Sequence, residues 1–454
     1  MGQGLSLFWF RRDLRLDDNA GLYHALRSGR PVLPVFIFDR HIIDVLEDRD
    51  DARITFLHRR LEQLRAKLAE HGSTLDVRYG TPQQVWQQLV RDYDVAEVYT
   101  NRDYEPYAKE RDADVEALLA ERGAALKTFK DHVIFEADEV QKKAGGTYTV
   151  FTPYSRTWLA KLDERPALPD ADTEAESYYL QSYPCEDYTS AFAKTGEHVA
   201  PREMPSLADL GFRESDLDYP APQPDEDVIR DYDETRDYPA IAGTTQLGVH
   251  LRHGTISIRR LAQRARGLNE VYLSELIWRD FYSQVLQVYP HVVTHAYRPE
   301  YDSIEWVNDE EHFEAWCAGR TGYPLVDAGM RELNATGYMH NRVRMVTASF
   351  LTKHLLTDWR WGERYFARKL LDYDLASNNG GWQWAAGTGA DASPYFRVFN
   401  PESQLKKFDR KLEYTRRWVP EYGTDAYPEP IVEHKWARER AISTYKQSLA
   451  EARG

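Results

Sequence analysis

The chain has 454 residues, 42% of them hydrophobic, and a formal net charge of −15. That length supports two or three domains with sizeable cores, and the absence of any apolar run near the ~18 residues of a membrane span excludes a transmembrane helix. The amino terminus lacks the basic-then-apolar order of a signal peptide, and Cys185 and Cys317 stand in no metal or iron–sulfur spacing. A soluble protein of the bacterial cytoplasm, without a metal, is expected.

The charge is uneven. Residues 161–235 hold 20 acidic and 6 basic side chains, whereas residues 321–420 hold 15 basic and 10 acidic. One acidic segment carries the imbalance, so a basic face for nucleic acid is compatible with the total. Twelve tryptophans and 29 tyrosines direct attention to aromatic chemistry.

Residues 5–10, 32–38, 75–79, 95–100 and 126–129 read as strands. Pro34 argues against a central place for the second of them. Residues 51–70, 82–93 and 108–122 read as helices, with Thr81 as N-cap and Pro82 in the first turn of the second. This alternation predicts an α/β domain over residues 1–135, with helices on both faces of a parallel sheet. No G-x-G-x-x-G follows the first strand. Arg11-Arg12-Asp13-Leu14-Arg15-Leu16-Asp17-Asp18-Asn19 stands there instead, which removes the main support for a dinucleotide dehydrogenase.

Residues 136–225 are acidic and broken by prolines, and read as a connector over the surface with a short helix at 154–162. Residues 226–454 read as an all-helical domain. Apolar spacing predicts helices at 256–267, 271–289, 310–318, 324–336, 340–356 and 361–371. The stretch from Asp372 to Trp384 combines Asp, Asn and Gly-Gly, which is loop chemistry, with two tryptophans two residues apart. It reads either as a loop capped by core aromatics or as a place where a flat aromatic ligand is held by polar groups and indoles.

Four ordered stretches carry a resemblance. They are Phe8-Trp9-Phe10-Arg11-Arg12-Asp13-Leu14-Arg15-Leu16, Glu275-Leu276-Ile277-Trp278-Arg279-Asp280-Phe281-Tyr282, Thr321-Gly322-Tyr323-Pro324-Leu325-Val326-Asp327-Ala328 and Asn378-Asn379-Gly380-Gly381-Trp382-Gln383-Trp384. In this order they resemble the DNA photolyase/cryptochrome family, and most of all its class I cyclobutane pyrimidine dimer photolyases. The resemblance implies a doubly wound α/β domain, a connector and a helical domain that binds FAD. It implies light-driven electron transfer from reduced FAD to a pyrimidine dimer in UV-damaged DNA, by a monomer.

The resemblance also assigns residues. Tyr232, Thr244, Thr245, Gln246, Leu247, Gly248, Arg344, Asp372, Tyr373 and Asp374 match FAD contacts. The family usually has Ser at positions 245 and 248, so Gly248 offers only backbone there. Arg344 is placed to pair with Asp372. Asn378 matches the amide opposite flavin N5, where a carboxamide accepts from N–H without adding charge. Trp278 and Trp384 match aromatic walls of the substrate pocket, Glu275 and Asn341 its polar groups, and Met345 a soft apolar contact. Glu275 and Trp278, three apart, share a helix face. Arg236, Arg279, Arg342, Tyr282 and Gln404 match DNA contacts. Arg397, Lys406 and Lys407 are added to these from charge alone. Trp306, Trp359 and Trp382 match an electron-transfer chain.

A second, antenna chromophore, a folate or a deazaflavin, is expected beside the α/β domain. The run 104–112 departs from the folate pattern, which leaves a deazaflavin, another flavin or no antenna. Met339-His340-Asn341-Arg342 lacks the His-His pair of six-four enzymes, which favours the cyclobutane substrate. The alternatives are a cryptochrome-type blue-light receptor and a non-photochemical electron-transfer flavoprotein.

Overall fold

The computed structural model describes residues 4–164 and 177–452; residues 165–176 of the acidic connector lie outside the described residues. The chain forms two compact units. The first comprises Met1–Glu136, Trp158–Pro222 and Leu247–Arg264, and the second Ala137–Thr157, Gln223–Gln246 and Ala265–Gly454.

A parallel five-stranded sheet centres the first unit. Its strands β1 (Leu5–Phe10), β2 (Val32–Asp39), β3 (Asp76–Gly80), β4 (Val95–Asn101) and β5 (Ala125–Phe129) run in the order β3-β2-β1-β4-β5. The covering helices include α1 (Ala20–Leu26), α2 (Ala52–Glu70), α3 (Pro82–Asp92) and α4 (Pro106–Glu121). Side chains alternate across the sheet. Phe8 and Phe10 pack with Leu61, Leu64 and Leu68 of α2, whereas Leu7 and Trp9 pack with Trp86 and Leu89 of α3 and Leu119 of α4. Both faces are covered, so every residue of β1 is buried, and all but Ser6 are apolar.

Two expectations need correction here. Pro34 lies in an internal strand. Pairing of β2 with β3 starts only at Val35, so the sheet has no partner on that side for the N–H that Pro34 lacks. The acidic connector does more than cover the surface: Cys185, Phe192, Leu210 and Phe212 are buried in the sheet's core.

The Arg11–Asn19 stretch is a buried polar junction. Asn19 caps α1 by accepting from Leu22 N–H at 3.1 Å. Asp18, fully buried and left-handed at φ 42°, accepts from Arg259 at 2.9 Å and from the Ser257 hydroxyl. Asp131 accepts from Arg15 at 2.6 Å and from Arg259 at 2.8 Å. Burial pushes the Asp131 carboxyl upward, but Arg15 and Arg259 win and hold it below the usual range. Residues 257–259 are thereby tied to the loop after β1.

The second unit is helical. After α5 (Phe151–Leu162), which starts in it, and α6 (Ile258–Leu268), which ends in it, come α7 (Glu270–Val288), α8 (Pro324–Thr336), α9 (Asn341–Ser349), α10 (Trp359–Lys369), α11 (Leu375–Ala386), α12 (Pro401–Phe408) and α13 (His434–Glu451). Its core gathers Leu325, Met330, Val346, Phe350, Trp359 and Trp382 among others. No helix among the described residues is long and apolar enough to cross a membrane.

Two local readings differ from the spacing. The helix expected over 340–356 is α9 followed by a π turn, Phe350–His354. Lys353, buried in that turn, donates to Ala386 O at 2.6 Å, and Tyr445 Oη donates to the same oxygen at 2.8 Å. The end of α11 is held by both. The stretch read as a loop is α11 itself. Asp374 caps it, accepting from Ser377 N–H at 3.1 Å. Gly380 serves packing rather than turning: a Cβ there would run into the Tyr282 ring.

Replacing Arg259 by Leu leaves Asp18 and Asp131 short of a partner. A loss of about 3–5 kcal/mol in urea-unfolding stability is expected. Asp131, with its depressed folded pKa, contributes stability above its unfolded value of about 3.9 that is lost as pH falls through the folded value. Asp131→Asn is therefore expected to flatten the acid limb of a stability-versus-pH curve.

Candidate active site

A cavity of about 410 Å³ opens in the second unit, within the size range of cofactor sites. Helices α7, α9, α10 and α11 line it, with the segment before α11 and Arg236. Helix α7 presents Glu275, Trp278, Arg279 and Tyr282, which is the i, i+3, i+4, i+7 face of one helix. Helix α9 presents Asn341, Arg344, Met345 and Ala348 with the same spacing. Asp372, Tyr373 and Asp374 line it ahead of α11, and Asn378, Trp382 and Trp384 from α11 itself. Arg236 completes the set of predicted residues at the cavity. Ala348, Phe366, Leu370, Ser377 and Gly381 also line it and were not singled out as site residues from sequence. A Cβ at Gly381 would meet nothing within 4 Å, so that backbone lies open to a ligand.

The polar groups are held in fixed pairs. Arg344 Nη2 donates to both Asp372 oxygens, at 3.1 and 2.9 Å, as the sequence anticipated, and its Nε donates to Met339 O at 2.7 Å. Arg236 pairs with Glu275 at 2.6 Å. Burial pushes the Glu275 carboxyl upward, and Arg236 partly offsets this. His340 caps α9 by accepting from Arg342 N–H at 3.2 Å; burial lowers its pKa to about 4, so it stays neutral beside Asn341.

Glu363 was missed by sequence reasoning. Asn378 Nδ2 donates to Glu363 O at 3.1 Å and to its Oε1 at 2.8 Å. Both amide hydrogens face acceptors, so the amide oxygen is the group that Asn378 presents to the cavity. An amide fixed in this sense accepts from a ligand N–H and does not donate to a bare nitrogen. Spacing gave no signal for Glu363, because it reaches Asn378 only when α10 packs on α11.

Trp382 is buried against Phe366 (4.9 Å between ring centroids) and Trp316 (6.0 Å), and its ring lies over Gly362 of α10. Trp359, three residues before Gly362, shares that face and is also buried. Val307 N–H donates to Leu356 O at 2.8 Å and Asp358 N–H to Asn308 Oδ1 at 2.8 Å, which sets half-buried Trp306 beside the entry to α10.

Tyr232, Thr244, Thr245 and Gln246 are not among the lining residues. Thr244 shares a hydrogen bond with Tyr338 Oη at 3.0 Å and Thr245 with Tyr272 Oη at 2.8 Å; Tyr232 meets the Tyr272 ring edge-on at 5.1 Å. Tyr272 and Tyr338 link this group to Arg236 and Arg344, whose guanidiniums lie over Tyr232 and Tyr338. Leu247 and Gly248 start a short helix, Gly248–Arg252, in the first unit.

Of the basic and polar residues expected at a nucleic acid, Arg342 pairs with Asp237 at 2.6 Å and lies over Phe408. Lys406 and Lys407 are exposed on α12, which also carries Gln404, and Arg397 is exposed. In the first unit, the switch point between β1 and β4 is where such sheets bind ligands. There Arg11, Arg12, Asp103 and His132 leave only about 10 Å³, the room of one water, so no antenna chromophore is assigned to that crevice.

Two family models match the chain: DNA photolyase over residues 6–172, and the FAD binding domain of DNA photolyase over residues 272–425. A deoxyribodipyrimidine photo-lyase of Halobacterium salinarum is 37% identical, over 98% of this chain and 100% of its own length. A class III photolyase from Agrobacterium tumefaciens superposes with a TM-score of 0.83 at 32% identity, covering 99% of this chain and 98% of its own. A Sulfolobus tokodaii photolyase solved with two FAD molecules gives 0.81 at 35%, covering 98% and 100%.

Replacing Glu363 by Leu removes the side-chain acceptor that orients Asn378. Reduced flavin bound to that variant is expected to reoxidise in air about tenfold faster, the worth of roughly one hydrogen bond. An unchanged rate would remove the orienting role.

Proposed function

The chain belongs to the DNA photolyase family, and from that premise we propose that it repairs cyclobutane pyrimidine dimers in UV-damaged DNA under blue light. It is a carbon–carbon lyase, and acts as a monomer in the bacterial cytoplasm without a metal. Residues 1–135 serve as the antenna-type domain, 136–225 as connector and 226–454 as the catalytic domain. The observation that carries the reading is the cavity that brings Glu275, Trp278, Asn341, Met345, Asn378 and Trp384 together on three helices.

Arg344, Asp372, Tyr373, Asp374, Tyr232 and residues 244–248 hold FAD. Bound and reduced, FAD supplies on excitation one electron that opens the cyclobutane ring and is then returned, so no second substrate is consumed. The protein's work is to hold, orient and exclude water. Asn378 offers an acceptor to the flavin edge and withholds a donor. The dimer must leave the duplex to enter, which costs least where stacking is already damaged. Trp278 and Trp384 then stack on it, at about 1–3 kcal/mol per base. Glu275 accepts from a pyrimidine N–H, and Asn341 meets a carbonyl. Arg236, Arg279, Tyr282, Arg342, Arg397, Gln404, Lys406 and Lys407 position the strand without reading sequence, so affinity falls as salt rises. Trp306, Trp359 and Trp382 lead electrons from the surface inward.

Reduced protein incubated with UV-irradiated oligothymidine is expected to restore thymine absorbance in blue light and not in darkness. No recovery from protein that binds FAD and photoreduces it would replace repair by a receptor role. Trp382→Phe is expected to abolish photoreduction while chemically reduced protein still repairs. Normal photoreduction in that variant would overturn the assignment of the tryptophan chain.

A further inference from the structure

Trp278 is buttressed from outside the helical sequence. Phe151, the first residue of α5, lies far from α7 in the chain but folds with the second unit. Its ring stacks flat on the Trp278 indole, with centroids 3.7 Å apart and planes within 6°. Phe281 and Tyr282 close on the same indole at 5.5 and 5.4 Å. The backbone of this segment is pinned twice. Phe151 N–H donates to the Asp391 carboxylate at 3.0 Å, and Tyr148 O accepts from Gln284 Nε2 of α7 at 3.1 Å. Asp391, left-handed at φ 49°, stands in the loop that leaves α11 at Gly387.

These contacts have a directional consequence. One face of Trp278 is taken by Phe151, so a ring that stacks on this indole from the cavity meets the other. An unsupported indole would lose rotamer freedom on stacking, whereas one already fixed by a ring behind it loses little. Asp391 follows Trp384 by seven residues, so the same pin reaches the loop behind the opposite wall of the cavity.

We propose that Phe151, anchored by Asp391, is a positioning residue that sets the plane of Trp278 for the pyrimidine dimer and so favours damaged over undamaged DNA. This rests on the reading of the cavity as the dimer site.

The test compares wild type, Phe151→Leu and Phe151→Tyr, each loaded with FAD. Binding is measured to oligothymidine with and without a single cyclobutane dimer, beside repair at saturating DNA and photoreduction. Phe151→Leu keeps an apolar side chain but loses the flat ring. It is expected to weaken dimer binding about three- to tenfold. Affinity for undamaged strand, repair at saturation and photoreduction stay as in wild type, and Phe151→Tyr restores dimer binding. Dimer binding by Phe151→Leu equal to wild type, or equal losses on both strands, overturns the proposal. A wild type without preference for the dimer overturns the functional reading and the positioning role of Phe151 with it. If Phe151→Leu fails to retain FAD, Asp391→Ala, which leaves the Phe151 ring in place and frees its backbone, is measured instead with the same two outcomes.

Discussion

Helix α11 reaches its neighbours only because two positions carry no side chain. Tyr282 of α7 lies where a Cβ at Gly380 would stand, and Trp382 of α11 lies where a Cβ at Gly362 of α10 would stand. At these approaches any larger residue displaces an aromatic ring rather than a flexible tip, and close-packed interiors do not absorb that. The cavity exists in the space left by this packing. Asn378 and Trp382 are one turn apart on α11, so the same approach places an amide at the cavity and an indole against α10. Lys353 and Tyr445 then hold the last carbonyl of the helix. Burial pushes the Lys353 amine well below the usual lysine range.

Two ion pairs stand at the cavity and a third close by in sequence to its lining residues. Arg236 faces Glu275, Arg342 faces Asp237 and Arg344 faces Asp372. A polyanion that approaches must compete with these carboxylates, and each pair is only partly desolvated. The net excess of bases over residues 321–420 is compatible with a nucleic-acid partner at long range, while the pairs fix side-chain directions at short range. The acidic balance of the whole chain is therefore no guide to its partner.

The first unit departs from dinucleotide-binding sheets for a reason visible in its contacts. Where a glycine-rich turn would bring backbone close to a pyrophosphate, this chain spends Arg15, Asp18 and Asn19 on a buried network with Asp131 and Arg259. The segment 247–264 is fastened to the sheet by that network, and the connector contributes apolar side chains to its core.

The sequence by itself determined the parallel sheet, because uninterrupted apolar runs alternating with amphipathic helices admit few other arrangements. Spacing along one helix placed Glu275 with Trp278, and ordered motifs named the family and most of the cavity's lining. Local rules failed where tertiary contacts set the terms. Gly380 and Gly381 read as a turn, yet they form a helix, since their missing side chains serve a neighbouring ring and an open cavity. Pro34 read as an edge signal, yet it lies inside the sheet, because β3 begins pairing one residue later. Glu363 and Phe151 had no signature at all: each acts on a residue distant in sequence, across a contact between elements that no local period records. The three-dimensional fold alone decided which way the Asn378 amide points and which face of Trp278 is left for a ligand.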